Sequence, residues 1–411
     1  MLSDEDISGS VYLMSAMSML YSMLMDFDRS EFWYQKLKEY RDSARGSEQR
    51  EATCRLVYLD ISLPNRGKDF CEWSKHDREI AVSAGKIVCT FLGKYGKGLV
   101  NAALAESFFE KGGDPYEVIS LVSKAKLEAE TGSKLELYFA ANAVLIRQHL
   151  VSGNPDAAKS VLDSFEKVAK RDGLKRLLPT IAAMHCRIAL MEGDSAAVDN
   201  WLKTVPDENE AFNAMERYLY LTKIRCYIAA DELDKAYSLI ESTRFYAEKC
   251  DRKFIAMELS ILTEIIMYRR GSAWKDNFVK ALEKICEYRF IPIISREGAA
   301  VFPLIEECRE QCCADRKINR KWFDAVFDAV GKVARRYPLY LKSTKTTIGD
   351  ISPMDARILA CLAEGLSVSK TAERLNINFE TLRSRIKELY RRLGAKNKTE
   401  AILIAQKMNL I

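Results

Sequence analysis

The side chains best suited to chemistry in this sequence of 411 residues are basic residues near its carboxyl end. Arg383, Ser384, Lys387 and Arg391 are spaced so that a helix would carry them together on one face. Arg and Lys at the start of such a helix can donate hydrogen bonds to guanine O6 and N7 in the DNA major groove. The other face carries apolar residues at i, i+4, i+7 and i+11, namely Leu382, Ile386, Leu389 and Leu393.

Short capped helices surround this segment and would position it. Ser352-Pro353-x-Asp355 predicts the start of a first helix, and Gly365 predicts its end. Ser367 predicts the cap of a second helix over Val368–Leu375, and Asn376-Ile377-Asn378 predicts a turn. Asn378 is expected to cap the third helix, which runs from Phe379 to about Leu393. Asn397-x-x-Glu400 then caps a last helix that reaches about Met408. A short helix, a tight turn and a longer basic helix indicate a helix-turn-helix.

The charge distribution favours the same interpretation. The whole chain has 63 Lys and Arg against 58 Asp and Glu, a net charge of +5. Residues 314–411 contain 20 basic and 10 acidic residues, so the first 313 residues carry a net charge of −5. An acidic body with a basic carboxyl-terminal module predicts a polyanionic partner for the module.

The motifs of the module resemble the LuxR-type DNA-binding domain over nearly all of residues 350–411. They are Ile351-Ser-Pro-Met-Asp355, Leu362-Ala-Glu-Gly-Leu-Ser367, Ala372-Glu-Arg-Leu375, Thr381-Leu-Arg383, Leu389-Tyr-Arg-Arg-Leu-Gly394 and Asn397-Lys-Thr-Glu-Ala401. The resemblance implies a four-helix domain that binds duplex promoter DNA and dimerises through its last helix. It implies that Arg383, Ser384 and Lys387 read bases, that Thr381 meets a phosphate and that Arg391 contacts the DNA backbone.

Several positions depart from that family pattern. Val368 and Ser369 stand where Asn and Lys are common, which removes a phosphate contact. Thr371 replaces an inward aliphatic residue, and Arg385 replaces a common His. Arg385 is counted among the predicted DNA-binding residues.

The rest of the chain predicts an all-α, TPR-like helical solenoid. Turn signals recur at residues 113, 153, 193, 230 and 271, an interval near 40, with a polar residue such as Asn154 or Asp194 capping the next helix. Within one unit, Leu233, Ala236, Tyr237, Ile240 and Phe245 suggest an apolar stripe. The aromatic residues of this region, Phe245 included, are expected in the core. The stack would offer a curved surface to an effector or a partner protein.

This part of the chain is also similar to the helical-repeat region of MalT-like regulators. The similarity rests on the interval near 40 residues, on the Gly-Asn and Gly-Asp turns and on the Phe290–Gly298 stretch. Such regulators often carry an ATP-binding domain before the repeats, but this sequence has no Walker A motif. Either the chain is a natural short form or an upstream part is missing. The domain limits predicted are 1–313 for the repeats, 314–349 for a helix and a linker that begins at Leu341, and 350–411 for the LuxR-type module.

Other residues offer only weak candidates for a metal, nucleophile or phosphate-binding site. Cys308, Cys312 and Cys313 lie in a helical pattern without a nearby His, and His185-Cys186 would point in different directions on a helix. Gly93–Gly98 lacks the Gly-Lys-Ser/Thr ending of a phosphate-binding loop. We therefore expect no enzyme, no metal and no cofactor. The 11 scattered cysteines indicate a reduced, cytoplasmic chain, and the apolar run Val11–Met25 is too short to span a bilayer.

The sequence thus predicts a bacterial transcription regulator that senses a small molecule or a protein through its repeats and binds promoter DNA as a homodimer. RNA polymerase is a further partner of such a regulator. The alternative is a helical-repeat scaffold whose DNA-binding module has degenerated, for which Val368 and Ser369 are the supporting features.

Overall fold

The computed structural model describes residues 3–79, 98–131, 135–206, 213–342, 353–393, 395 and 397–407. These residues form helices and connecting turns, with no β-strand among them. No helix in the described ranges is long and apolar enough to cross a membrane. The cysteines within these ranges are free thiols.

The chain begins with a bundle of helices, α1 (Asp4–Ser8), α2 (Val11–Met23), α3 (Phe27–Ser43) and α4 (Gly46–Ser62). The short helix α5 (Phe70–Lys75) follows and packs on a later helix, Lys253–Arg269. Close packing of α2 on α3 depends on serines, which let two backbones approach. Ser18 donates to the carbonyl of Ser30, and Ser30 donates back to the carbonyl of Ser18, at 3.0 and 2.9 Å. The apolar run in α2 is therefore a packed helix of this bundle.

Five helix pairs follow in the part of the chain that the structure describes. They are α6 (Leu99–Glu110) with α7 (Pro115–Thr131), α8 (Leu135–Ser152) with α9 (Pro155–Arg171), α10 (Leu178–Glu192) with α11 (Ser195–Thr204), α12 (Arg217–Ala229) with α13 (Leu233–Lys249), and α14 (Lys253–Arg269) with α15 (Lys275–Cys286). Each helix packs on the next one along the chain. We call this array of pairs the repeat body.

The turn inside each pair has the backbone conformation that the Gly signals predict. Gly112, Gly153, Gly193, Asp231 and Gly271 have φ between +60° and +84°, a left-handed conformation that glycine adopts at low cost. Asp194 caps α11 by accepting from the Ala197 N–H at 3.0 Å. Asn154 precedes α9 as expected, but its side chain makes no capping hydrogen bond. The turns near every fortieth residue are thus confirmed, whereas a TPR-like solenoid in the strict sense stays a prediction.

One aromatic prediction is wrong. Phe245 is 58% exposed, while Tyr246 beside it is buried. Phe245 is twelve residues after Leu233, which rotates it about 120° away from the stripe on a helix of 3.6 residues per turn. Thr243 and Ala247 occupy the buried positions of the last turns instead.

After the array come α16 (Pro292–Ser295), α17 (Gly298–Glu307), α18 (Arg309–Ala314) and α19 (Arg320–Arg336). Helices α16, α17 and α19, together with residues Tyr337–Leu341, pack against the first helices of the pairs, and we call them the hub. The Ile291 N–H donates to the carbonyl of Glu110 at the end of α6, at 2.7 Å. The hub therefore fills the side of the array that is lined by the first helices of the pairs, which we call its inner surface. The curved surface that the sequence predicts for a ligand or a partner stays a prediction.

The core of the repeat body continues into this hub. Trp322, Phe323, Val326 and Val330 of α19 belong to the same apolar cluster as the repeat helices. Leu341, expected to begin a linker, is also buried in that cluster, because the chain stays docked beyond the end of α19. Residues 343–349 of the expected linker lie outside the described residues. The domain limits at 313 and 349 stay predictions.

The carboxyl-terminal module contains α20 (Pro353–Ala363), α21 (Val368–Leu375), α22 (Phe379–Leu393) and α23 (Lys398–Lys407). Helix α20 packs on α21 and α23, and α22 packs on α21 and α23. The module has an apolar core of its own, which includes Ile358, Leu359, Leu382, Leu389 and Ile404.

Candidate nucleic-acid interface

The third helix of the module, α22, is fixed by its apolar face. Leu382, Ile386, Leu389 and Leu393 are all buried in the core of the module, as their spacing predicts. Burying these four side chains orients the helix, because the residues between them must then face outward. The stripe therefore determines which side chains α22 presents.

Local hydrogen bonds set the beginning of α21 and its end. The Ser367 hydroxyl accepts from the Lys370 N–H at 3.3 Å and so caps α21. Asn376 ends the helix in the left-handed conformation, with φ of +52°, which Asn tolerates better than most residues. Thr371 is fully buried, and its hydroxyl donates to the carbonyl of Ser367 at 2.9 Å. The Thr371 hydroxyl is thus satisfied, although the family commonly has an aliphatic residue at this buried position.

The beginning of α22 is capped by Asn378. Its Oδ1 accepts from the Glu380 N–H at 2.9 Å and from the Thr381 N–H at 3.4 Å. Asn397 caps α23 in the same way, accepting from the Glu400 N–H at 2.9 Å. The Lys398 ammonium donates to the carbonyl of Leu366 at 3.0 Å, which ties α23 to the loop before α21. The sequence predicted the caps at Asn378 and Asn397 but not the hydrogen bond from Lys398 to Leu366.

The structure brings four of the predicted residues together on the outward side of α22. Thr381, Arg383, Ser384 and Lys387 are all exposed in its first three turns. Two of them are cationic, and the amino-terminal end of a helix adds partial positive charge from its N–H groups. The side chain of Arg391 lies outside the described residues, so its predicted contact stays a prediction.

Arg385 has an intramolecular partner. Its Nε donates to Oδ1 of Asp355 at 2.6 Å, and the Asp355 side chain is almost fully buried. The ion pair joins α22 to α20 across the module. Asp355 was expected to serve as a helix-capping carboxylate, so this pairing was not foreseen from the sequence. A DNA contact by Arg385 stays a prediction, and the geometry assigns it a positioning role.

A shallow depression adjoins the amino-terminal end of α22. It has a volume of about 400 Å³ and is lined by Ser369, Ala372, Glu373, Asn376, Ile377 and Phe379. Phe379 is 42% exposed there, although it is aromatic. Ser369, where the family commonly has Lys, therefore lies beside the outward face of the helix-turn-helix.

The repeat body contains a buried network of charges that the sequence did not reveal. Arg147, Arg187 and Arg225 recur at an interval near 40 on α8, α10 and α12, and they face carboxylates of α6, α14 and the hub. Arg225 is fully buried. It donates to Glu297 at 3.2 Å, to Glu258 at 2.7 Å and to the carbonyl of Leu221 at 2.8 Å.

Opposite charges keep Glu258 and Arg225 ionised although burial opposes their charged forms. Burial raises the pKa of a carboxyl group, yet Arg296 and Arg225 hold the pKa of Glu258 at about 2. Burial would lower the pKa of Arg225, but Glu297 and Glu258 raise it well above its usual value. Glu110, also buried, lies 3.1 Å from Arg147, and burial raises its pKa. The network thus contains residues from the first helices of all five pairs, α6, α8, α10, α12 and α14, and joins them to the hub.

Cys308 and Cys312 are buried thiols, and His185 lies beside acidic side chains. Burial raises the pKa of Cys308 to about 11 and that of Cys312 to about 12, so both stay protonated thiols at neutral pH. His185 does approach carboxylates, since its Nε2 lies 3.1 Å from Glu166 and 3.7 Å from Asp163. Lys170 is bound to the other oxygen of Glu166 at 2.6 Å, and its positive charge disfavours a metal cation there. The Gly93–Gly98 candidate lies outside the described residues except for Gly98.

One family model matches this chain. Residues 351–405 match the model described as bacterial regulatory proteins, luxR family. The module of helices α20–α23 is thus a LuxR-type helix-turn-helix domain, which supports a DNA-binding transcription regulator. The match includes no residue of the repeat body. A search of curated proteins found no match to the chain.

Proposed function

We propose that this protein is a cytoplasmic bacterial transcription regulator that binds promoter DNA through α22. The observation that carries the proposal is the exposed face of Arg383, Ser384 and Lys387 in a domain that matches the luxR family. In the major groove these side chains reach base edges, and the Thr381 side chain reaches a phosphate.

The proposed DNA-bound form is a homodimer that pairs through α23. Leu403 on this helix is 54% exposed, although its neighbours Ala401 and Ile404 are buried in the module. An exposed leucine on the last helix fits a second copy of the same helix. Two modules related by a twofold axis would then read two half-sites.

The repeat body is proposed to be the sensor, with a TPR-like or MalT-like arrangement of its pairs. Because the hub fills the inner surface, a small-molecule or protein effector would meet the outer surface. Helix α7 presents Tyr116, Ile119 and Leu127 to solvent on one face, an apolar stripe that suits a protein partner. RNA polymerase would be a further partner on the promoter.

The same stripe favours the second candidate function, a protein-interaction scaffold with a degenerate DNA-binding module. The two candidates differ in a measurable property. A regulator binds duplex DNA with an affinity that falls steeply with salt, whereas a scaffold shows no such binding.

Binding of the full chain to DNA tests the proposal. Duplexes are first selected from a random pool with the wild-type protein, and affinity is then measured by fluorescence anisotropy between about 50 and 200 mM salt. Arg383→Ala should weaken binding by about 1–3 kcal/mol and relax the base preference, because it removes a base-reading guanidinium.

Lys321→Ala is the control, since Lys321 is an exposed cation on α19, away from the module. It should leave both the affinity and the base preference unchanged. Equal affinities for wild type and Arg383→Ala would refute the assignment of the reading face. The absence of salt-dependent binding in the wild type would favour the scaffold.

A further inference from the structure

The chain stays attached to the repeat body after the last hub helix ends. Tyr340 and Leu341 are 2% and 1% exposed, although they follow Pro338 and precede the connection to the LuxR-type domain. Residues this close to a domain connection are usually exposed. Their burial shows that the body holds residues Tyr337–Leu341, which we call the docked segment.

Polar groups at the ends of the repeat helices form hydrogen bonds with this segment and with the residue before it. The Tyr337 hydroxyl donates to the carbonyl of Leu150 at 2.8 Å, at the end of α8. The Arg269 guanidinium donates to the carbonyl of Ile228 at 2.6 Å, at the end of α12, and also to the carbonyl of Leu341. Arg336, just before the segment, donates to the carbonyl of Val151. The segment therefore touches several repeat pairs at once.

Tyr340 connects the segment to the buried charge network. Its hydroxyl donates to Oε2 of Glu297 at 2.8 Å, and the same carboxylate accepts from Arg225. Burial and the charge of Glu297 raise the pKa of Tyr340, so the phenol stays protonated and remains a donor. A hydrogen bond to a buried charged acceptor is stronger than one between neutral groups.

The turns of the repeat body have no space for side chains where the segment passes. A Cβ on Gly153 would lie 2.9 Å from Cδ of Arg336, and one on Gly193 would lie 2.7 Å from Cβ of Leu339. Leu339 also packs against the apolar core of the LuxR-type domain. One leucine thus touches both the turn after α10 and the DNA-binding module.

We propose that the docked segment is an autoinhibitory latch, which holds the LuxR-type domain close to the repeat body and whose release strengthens DNA binding. The inference rests on the proposed function. Release requires loss of the Tyr337, Tyr340 and Arg269 contacts, and it leaves α19 in place.

Docking of the segment shortens the connection between the repeat body and the LuxR-type domain. Eleven residues lie between Leu341 and Pro353, and fully extended the chain from one to the other spans at most about 40 Å. Release back to Arg336 adds five residues, or about 17 Å. In a dimer, two modules must reach half-sites about 34 Å apart while each carries a bulky repeat body. A longer connection relieves that restraint.

Tyr340→Phe and Tyr337→Phe test the latch in the full chain. Each removes one hydroxyl and keeps the buried ring, so the fold should be retained. Tyr268→Phe is the matched control, because its hydroxyl donates to Glu307 at 3.3 Å on the surface, away from the segment. Circular dichroism checks that all variants keep the helical content of the wild type.

Two measurements are made on each variant. The first is the rate of trypsin cleavage after Lys342 in the absence of DNA, which reports how often the docked segment opens. Both latch variants should be cleaved about tenfold faster than wild type, and Tyr268→Phe should match wild type. The second is the affinity for the selected duplex, which should rise several-fold in the latch variants only.

The possible results separate the latch from the proposed function. Faster cleavage together with tighter DNA binding supports the proposal. Unchanged cleavage shows that these contacts hold no latch, and faster cleavage with unchanged or weaker DNA binding shows that the latch does not restrain the module. A wild type that binds no DNA contradicts the proposed function and this inference with it, whereas the cleavage rates still measure the docking.

Discussion

Arg225 and Glu264 are both buried in the repeat body, but their surroundings differ. The Arg225 guanidinium is bonded to Glu297, to Glu258 and to a backbone carbonyl. For Oε2 of Glu264 the described residues provide no hydrogen-bond partner, and the nearby Arg244 donates to Thr263 instead. A buried charged group is tolerated when oppositely charged groups surround it. A buried carboxyl group without such partners favours its protonated, neutral form.

Removing Arg225 should destabilise the protein strongly. Arg225→Ala leaves Glu258 and Glu297 buried without their shared cation, and we expect the free energy of unfolding to fall by about 3–5 kcal/mol. Urea denaturation measures this. Arg320→Ala is the control, because Arg320 forms an exposed ion pair with Asp324 at 3.1 Å and should cost no more than about 1 kcal/mol. Equal losses in the two variants would contradict the role of the network.

Glu264 should make stability depend on pH. Burial raises its pKa to about 7, so the folded protein holds a proton that the unfolded chain releases near its usual pKa of 4.5. Stability should therefore fall as pH rises from about 4.5 to 7 and then level off. Glu264→Gln should remove this slope and gain roughly 2–3 kcal/mol above pH 7.

Urea denaturation between pH 5 and 8, at about half-unit steps, measures the effect of Glu264. Glu248→Gln provides the comparison, since Glu248 is an exposed carboxylate on α13. It should reproduce the wild-type slope. If Glu264→Gln also kept that slope, Glu264 would not be the group that takes up the proton.

At the scale of the element, the helices of the LuxR-type module were predicted well because their limits are set locally. Ser367, Asn376 and Asn378 lie within three residues of the N–H groups that they cap or the helix that they end. Sequence alone contains that information. The pairing of Arg385 with Asp355 crosses 30 residues, and nothing in the local pattern indicates it.

Asn378→Ala should loosen the start of α22. The loss of the cap leaves the Glu380 and Thr381 N–H groups without their acceptor and should cost about 1 kcal/mol of stability. Hydrogen exchange at residues 379–381 should become faster, and DNA affinity should fall because the reading face begins there.

Asn319→Ala is a matched control for this cap. Asn319 caps α19 by accepting from the Trp322 N–H at 3.0 Å, so the chemical change is the same in an element outside the module. It should cost similar stability and leave DNA binding unaffected. A loss of DNA affinity as large as that of Asn378→Ala would mean that binding follows overall stability and not the start of α22.

At the scale of the whole molecule, the sequence revealed the spacing of the repeats but not what lies inside them. Each turn needs a residue with positive φ, which is glycine in four turns and Asp231 in the fifth. The recurring glycines make this requirement recognisable in the sequence. The partners of Arg147, Arg187 and Arg225 come from other helices, and Glu297 is 72 residues from Arg225. Such contacts depend on how the array curves, which residue spacing does not report.

The filled interior also limits where the chain can be cut. A truncation after residue 342 would remove the DNA-binding module and keep Trp322, Phe323 and Tyr340 in place, so the remainder should stay a folded protein. A truncation at residue 313 would remove those side chains from the core. It would expose Arg225, Glu258 and the apolar residues around them to solvent. The last hundred residues therefore contain both a DNA-binding domain that can be removed and a segment that the repeats need as part of their own core.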